Sequence, residues 1–184
     1  NFEALVVSPT AATTPVSDTL DTVTATLTAS AGVVEGGAIT YTVSLPSPVT
    51  GSAVSVTLSN GATISIPVGA SSGTATVTAT DDVYTGGGSA AATITALSGG
   101  NFENLVASSA PATTTLTDDA DATTVSLSAT PSVAEGGSIV YTAALTNPTD
   151  TAMSVTLSNG AVINIAAGAS TGSVSVAAPT DDVY

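Results

Sequence analysis

The chain is written in short runs of alternating apolar and polar residues. From Thr22 to Thr28, Val23, Ala25 and Leu27 alternate with four threonines. Ile39, Tyr41, Val43 and Leu45 alternate with Thr40, Thr42 and Ser44, and Val54, Val56 and Leu58 follow. Past the turn Ser59-Asn60-Gly61 come Ile64, Ile66 and Val68, then Ala75, Val77 and Ala79. Ala92, Ile94 and Ala96 make a sixth run, and Thr113–Thr117, around Leu116, a seventh. Period-2 alternation sends one set of side chains to each face of a strand, and outward Thr and Ser suit strands. Apolar residues at helical spacing are missing throughout. Seven strands in roughly 100 residues, separated by turn signals, predict an all-β, immunoglobulin-like β-sandwich. Its core of Val, Ala, Ile and a few aromatics would be thin, so modest stability is expected without outside help.

The alternation is itself repeated. NFEALV at 1–6 returns as NFENLV at 101–106, VVEGG at 33–37 as VAEGG at 133–137, and TDDVY occurs at 80–84 and 180–184. The offset is 100 in each case and slips to 99 at VTLSNGA (Val56 against Val155). A slip confined to loops is what two copies of one folded unit should show. All six aromatics are copied, as Phe2/Phe102, Tyr41/Tyr141 and Tyr84/Tyr184. On this frame, residues 1–21 read as the C-terminal strand segment of a preceding repeat. Residues 22–121 read as a complete repeat, and 122–184 as a repeat truncated before its last strands. The chain therefore reads as an excerpt of a tandem array.

Charge changes the picture further. The 184 residues include 14 Asp plus Glu and no Lys, Arg, His, Cys or Trp, for a formal charge of −14. Nucleic-acid binding, which needs cations to displace phosphate counterions, is excluded. Attraction to an anionic membrane surface fails for the same reason. Nucleophilic catalysis by Cys, Lys or a Ser–His pair is ruled out, as is general acid–base work by His. Zinc sites built on Cys and His are excluded as well, and no disulfide can staple the core.

The acids have a pattern. Glu3/Glu103, Asp18/Asp118, Asp21/Asp121, Glu35/Glu135, Asp81/Asp181 and Asp82/Asp182 are matched pairs, and only Asp119 and Asp150 stand alone. In a sandwich of seven strands, the loop after the first strand, the loop after the fifth and the end of the last all lie at one pole. These carry Glu35, then Asp81 and Asp82, then Asp118, Asp119 and Asp121. Two carboxylates about 5 Å apart repel by about 3 kcal/mol at an effective dielectric near 20. With no basic side chain, only a bound cation or protonation relieves such repulsion. Carboxylates and loop carbonyls suit calcium, which takes 6–8 oxygens, better than magnesium with its strict octahedron. The alternative is that Asp and Gly in loops are simply good turn formers facing water. Asp150 is read that way. At the opposite pole, Asn101 and Glu103 are expected to approach the incoming linker with Asp18 and Asp21 and share a second, inter-domain site. A packed Phe102 with solvated neighbours competes equally. Tyr41 and Tyr84 are expected in core or strand-edge packing.

The pattern VAEGGSIVYTAALTNP, VTLSNGA, DDVY and NFENL resembles the tandem extender repeats of large RTX-type bacterial adhesins, the biofilm-forming large adhesion proteins, along essentially the whole chain. A looser similarity to Calx-beta domains rests on the Glu-Gly after the first strand and the Asp-Asp before the later ones. The first resemblance implies immunoglobulin-like sandwiches strung end to end, with calcium stiffening their junctions. It also implies type I secretion and an extracellular place on the bacterial cell surface. The matching positions are Glu35, Asp81, Asp82, Asp118 and Asp121, with Glu135, Asp181 and Asp182 in the second copy.

The expected function is a calcium-rigidified spacer whose partners are the neighbouring repeats of its own chain. Two other readings are a Thr-rich face that binds glycan, receptor or ice, and head-to-tail strand exchange between copies. An enzymatic reading of Glu35 with Asp82 as a glycosidase pair finds no Trp, Arg or His to support it.

Overall fold

A computed structural model describes residues 1–180, and among these the chain is all-β with no helix. Its strands are β1 (Thr22–Ala29), β2 (Gly32–Val34), β3 (Ala38–Ser44), β4 (Val54–Leu58), β5 (Thr63–Ile66), β6 (Ser72–Thr78), β7 (Gly88–Ala92), β8 (Ile94–Ser98), β9 (Asn104–Ala107) and β10 (Ala112–Thr117). The second copy contributes β11 (Val125–Ala129), β12 (Ser138–Leu145), β13 (Met153–Thr156), β14 (Val162–Ile165) and β15 (Thr171–Ala177). The multiple sheets are those of an immunoglobulin-like β-sandwich. The chain divides into two compact units. One comprises Asn1–Ser30, Thr40–Val77 and Ala91–Thr113, the other Ala31–Ile39, Thr78–Ala90 and the chain from Thr114 onward.

In the first unit the alternation becomes a two-layer core. One sheet has the order β6-β3-β1-β9 and another β5-β4-β8. The inward residues Ala25 and Leu27 of β1, Tyr41 and Val43 of β3, Val54, Val56 and Leu58 of β4, and Ile64 and Ile66 of β5 are buried. Tyr41 is thus a core residue, as expected. Between β4 and β5, Gly61 takes φ of +84° and the Asn60 Oδ1 accepts the Ala62 N–H at 3.1 Å, closing the hairpin turn. An Asn side chain that mimics the backbone and a Gly free to take positive φ explain why Ser-Asn-Gly-Ala recurs there.

Three features depart from the seven-strand expectation. The sixth expected strand is two, β7 in the sheet β2-β10-β7 and β8 beside β4. Residues 104–107, expected as loop, form β9, parallel to β1 in the register Thr22↔Asn104 to Ala25↔Ala107. The third is β2, whose partner is β10. Runs of three or four residues are too short for alternation to announce them, and only the long-range partner creates them. Residues 1–21 hold no strand, and Phe2, Leu5, Val6, Val7, Val16 and Leu20 are exposed.

In the second unit, β11-β12-β15 and the hairpin β13-β14 reproduce the pairing of the first copy. Ala143, Ile163 and Ile165 form its core with Tyr141, Leu145, Val155 and Leu157 packed against them. Leu127 is 54% exposed whereas its counterpart Leu27 is 8% exposed. Both leucines pair with the next long strand of their copy, Leu27 with Val43 and Leu127 with Ala143, and only the first copy adds β9 beside the start of its first strand, over Thr22–Ala25.

Candidate metal centre

The centre is built by a parallel pair. β2 and β10 run side by side in the register Gly32↔Thr115, Val33↔Leu116 and Val34↔Thr117. Parallel pairing lays the C-terminal ends of two strands together, so the next residues, Glu35 and Asp118, emerge at one edge. The Glu35 N–H donates to the Thr117 carbonyl at 2.9 Å and extends the ladder to that point. The Glu-Gly-Gly turn then bends back. The Gly36 N–H donates to Thr80 O at 3.4 Å, and the Ala79 N–H to Gly37 O at 2.7 Å. These bonds set Asp81 against the turn. Gly36 takes φ of +68°, and a Cβ built on Gly37 would fall 2.7 Å from Val34 O, so both glycines are required by shape. On the other segment, the Asp82 Oδ1 accepts the Tyr84 N–H at 2.8 Å in an Asx turn that shapes the Asp-Asp-Val-Tyr loop.

Three sequence-distant segments therefore deliver acids to one place. One carboxylate oxygen each of Asp81, Asp119 and Asp121 lies within 4.8 Å of the others. Glu35 is only 9% exposed, and its Oε2 is buried with no hydrogen-bond partner among the described residues. Burial first, then the charges of Asp82, Asp118, Asp81 and Asp119, hold the Glu35 carboxyl above its ordinary value. Asp121 is also raised, by the charge of Asp119 foremost, then by loss of solvent, then by Asp81, Asp118 and Asp82. A buried carboxylate oxygen without a partner is costly. Here its surroundings are more carboxylates, in a chain with no cationic side chain to answer them. An oxygen-only donor set of this kind has the chemistry of a hard divalent-cation site, although the oxygens that lie within 4.8 Å of one another are those of Asp81, Asp119 and Asp121 alone.

The other acids fall differently. Glu135 is exposed, and Asp181 and Asp182 lie outside the described residues. Asp18 accepts only the adjacent Thr19 N–H, at 3.0 Å. Glu103 does reach the incoming linker, but through the backbone: its Oε2 accepts the Asp21 N–H at 2.6 Å. Asn104 adds a bond from its Nδ2 to Thr22 Oγ1 at 3.0 Å.

Sequence reasoning missed the task of Tyr84. Its ring is 39% exposed, and its O–H donates to the Pro148 carbonyl of the second copy at 3.1 Å. The crevice around it is lined by Val83, Thr123, Val125, Leu145 and Asn147. Tyr84 thus reaches the second copy from the loop that carries Asp81 and Asp82. The signal available was the fixed recurrence of Tyr two residues after the acidic pair.

The described residues thus form an all-β, immunoglobulin-like module with Asp81, Asp119 and Asp121 grouped beside Glu35. The family model described as LapA domain matches residues 21–119 and 121–184. The chain belongs to that family, that of LapA-like biofilm adhesins, and is a region of a cell-surface protein. No curated protein matches it.

Proposed function

We propose that the chain is a calcium-rigidified extender of a large bacterial surface adhesin, exported by type I secretion and serving surface attachment and biofilm formation. The observation that carries the reading is Glu35, whose buried Oε2 has no partner and is surrounded by the charges of four aspartates. Glu35, Asp81, Asp82, Asp118, Asp119 and Asp121 would hold the ion. A bound calcium supplies the positive charge the chain lacks and ties three loops to the exit linker. The chain itself supplies the rest of the joint. Tyr84, anchored through Asp82, seats its hydroxyl on Pro148 and orients the following copy. Stiffness at the joint is what a spacer needs, because inter-domain contacts of modest area otherwise leave domains mobile.

The test pairs calorimetric calcium titration with small-angle scattering. The expected outcome is saturable binding and a longer, narrower distance distribution in calcium, reversed by chelator. Tyr84→Ala is expected to bind calcium normally yet broaden that distribution. Binding without any change in length would refute the spacer reading, and absence of binding would refute the calcium centre.

A further inference from the structure

Tension along a tandem array enters a repeat at its N-terminal strands, β1 and then β2, and leaves at its last, β10. The pairing of those strands therefore determines how the repeat resists. β2 lies near the start and β10 at the end, and they run parallel. Besides the ladder, the Thr115 N–H donates to Ala31 O at 3.0 Å and the Glu35 N–H to Thr117 O at 2.9 Å, one bond beyond each end of the register. The Thr117 hydroxyl adds a bond to Val33 O at 3.3 Å. Pulling the repeat's ends apart draws β2 backward along its own axis and β10 forward along its axis. Parallel neighbours then slide in opposite directions, and the evenly spaced bonds between them are strained all at once. The same bonds, opened from one end, break one after another. Forced unfolding follows the barrier to unfolding, so simultaneous loading raises the force needed. The first strand repeats the arrangement within its own unit: β1 is parallel to β9 over Thr22–Ala25.

We propose that the β2–β10 ladder is the force-bearing clamp of the repeat, and that a divalent cation held between Glu35 and the Asp118–Asp121 segment locks it. Glu35 directly follows β2, and Asp118 directly follows β10. Unneutralised, these acids repel at the ends of the two strands that must stay together. With a cation between them, sliding must also break its bonds to carboxylate oxygens. The lock rests on the calcium reading given above, whereas the clamp rests on strand pairing alone.

The test is single-molecule pulling. The chain has no cysteine, so introduced cysteines define where force is applied. Leu20→Cys with Ala122→Cys, both exposed, applies force at the two chain ends of the complete repeat, the geometry in which the proposal has the ladder sheared. Ala31→Cys with Thr115→Cys, also exposed, opens the same ladder from one end. In chelator and at equal loading rate, the shear geometry is expected to need a severalfold higher rupture force. Equal forces in the two geometries would overturn the clamp. Added calcium is expected to raise the shear force further, and Glu35→Gln to remove most of that increment. Calcium that binds by calorimetry yet leaves the shear force unchanged would overturn the lock while sparing the calcium centre. Failure to bind would overturn the centre and the lock together, and the chelator comparison would still judge the clamp.

Discussion

Replacing Glu35 by Gln separates an ion ligand from an ordinary buried acid, because the two roles predict opposite signs. The substitution keeps the shape of the side chain and removes its charge. In the calcium-free chain Glu35 is desolvated, its Oε2 is unpartnered, and Asp82, Asp118, Asp81 and Asp119 all disfavour its ionised form. Glu35→Gln relieves that and offers an N–H to the neighbouring carboxylates, so the calcium-free melting temperature should rise. With calcium the sign reverses. One site at a hundred times its dissociation constant stabilises the folded chain by about 2.7 kcal/mol. In a domain of this size each kcal/mol moves the midpoint by about 4–8 °C, which gives the native chain a calcium-induced rise of roughly 10–20 °C. Glu35→Gln should lose much of that rise, so the melting curves of the two proteins cross in rank between chelator and millimolar calcium. Differential scanning calorimetry under both conditions reads this directly. A variant that is less stable in chelator and retains the full calcium shift would refute the argument, since Glu35 would then be a structural acceptor only.

Three further outcomes are expected. Because Glu35 and Asp121 are both raised, the folded chain binds more protons than the unfolded one from the ordinary carboxylate range upward. Calcium-free stability should therefore fall as pH rises through that window and recover on acidification from neutral towards about pH 5, a dependence that calcium flattens, as thermal melts across pH would record. Glu103→Ala should speed hydrogen exchange of the Asp21 amide severalfold by NMR, since that amide loses its acceptor; unchanged exchange would show that the bond does not order the linker. Ile66→Ala, at a position with no exposed surface, should cost about 2–5 kcal/mol in urea unfolding.

The sandwich was legible because its long strands are half-buried and announce themselves by alternation, as Ile39–Leu45 does with every second side chain inward. Strand order led to the expectation that the loops of Glu35, Asp81 and Asp118 share one end, and the charges of Asp81, Asp82, Asp118 and Asp119 do act on Glu35. Hidden from the sequence were β2 and β9, three and four residues long, whose existence depends on partners some 80 residues away. Their absence from the expectation also hid the reason Glu35 and Asp118 adjoin, which is a parallel register. The linker bond of Glu103 was half visible: proximity to Asp21 could be expected, but a backbone amide as its partner leaves no mark on composition. Tyr84, expected in core or strand-edge packing, lies half-exposed with its hydroxyl on Pro148, because a spacing repeated in two copies says that a residue recurs and is silent on whether it packs inward or reaches across.

One residue of the linker has a larger consequence than its size suggests. Asp21 and Asp121 are the same position, one copy apart. The first gives its main-chain N–H to Glu103, in the copy that follows it; the second has a carboxylate oxygen within 4.8 Å of those of Asp81 and Asp119, at the end of the complete copy. Were both roles combined at every junction of a tandem array, one aspartate would face both ways, and ordering it for one neighbour would order it for the other. In the extender array proposed above, stability would then take the form of a nearest-neighbour sum, with cooperativity passed from copy to copy one aspartate at a time.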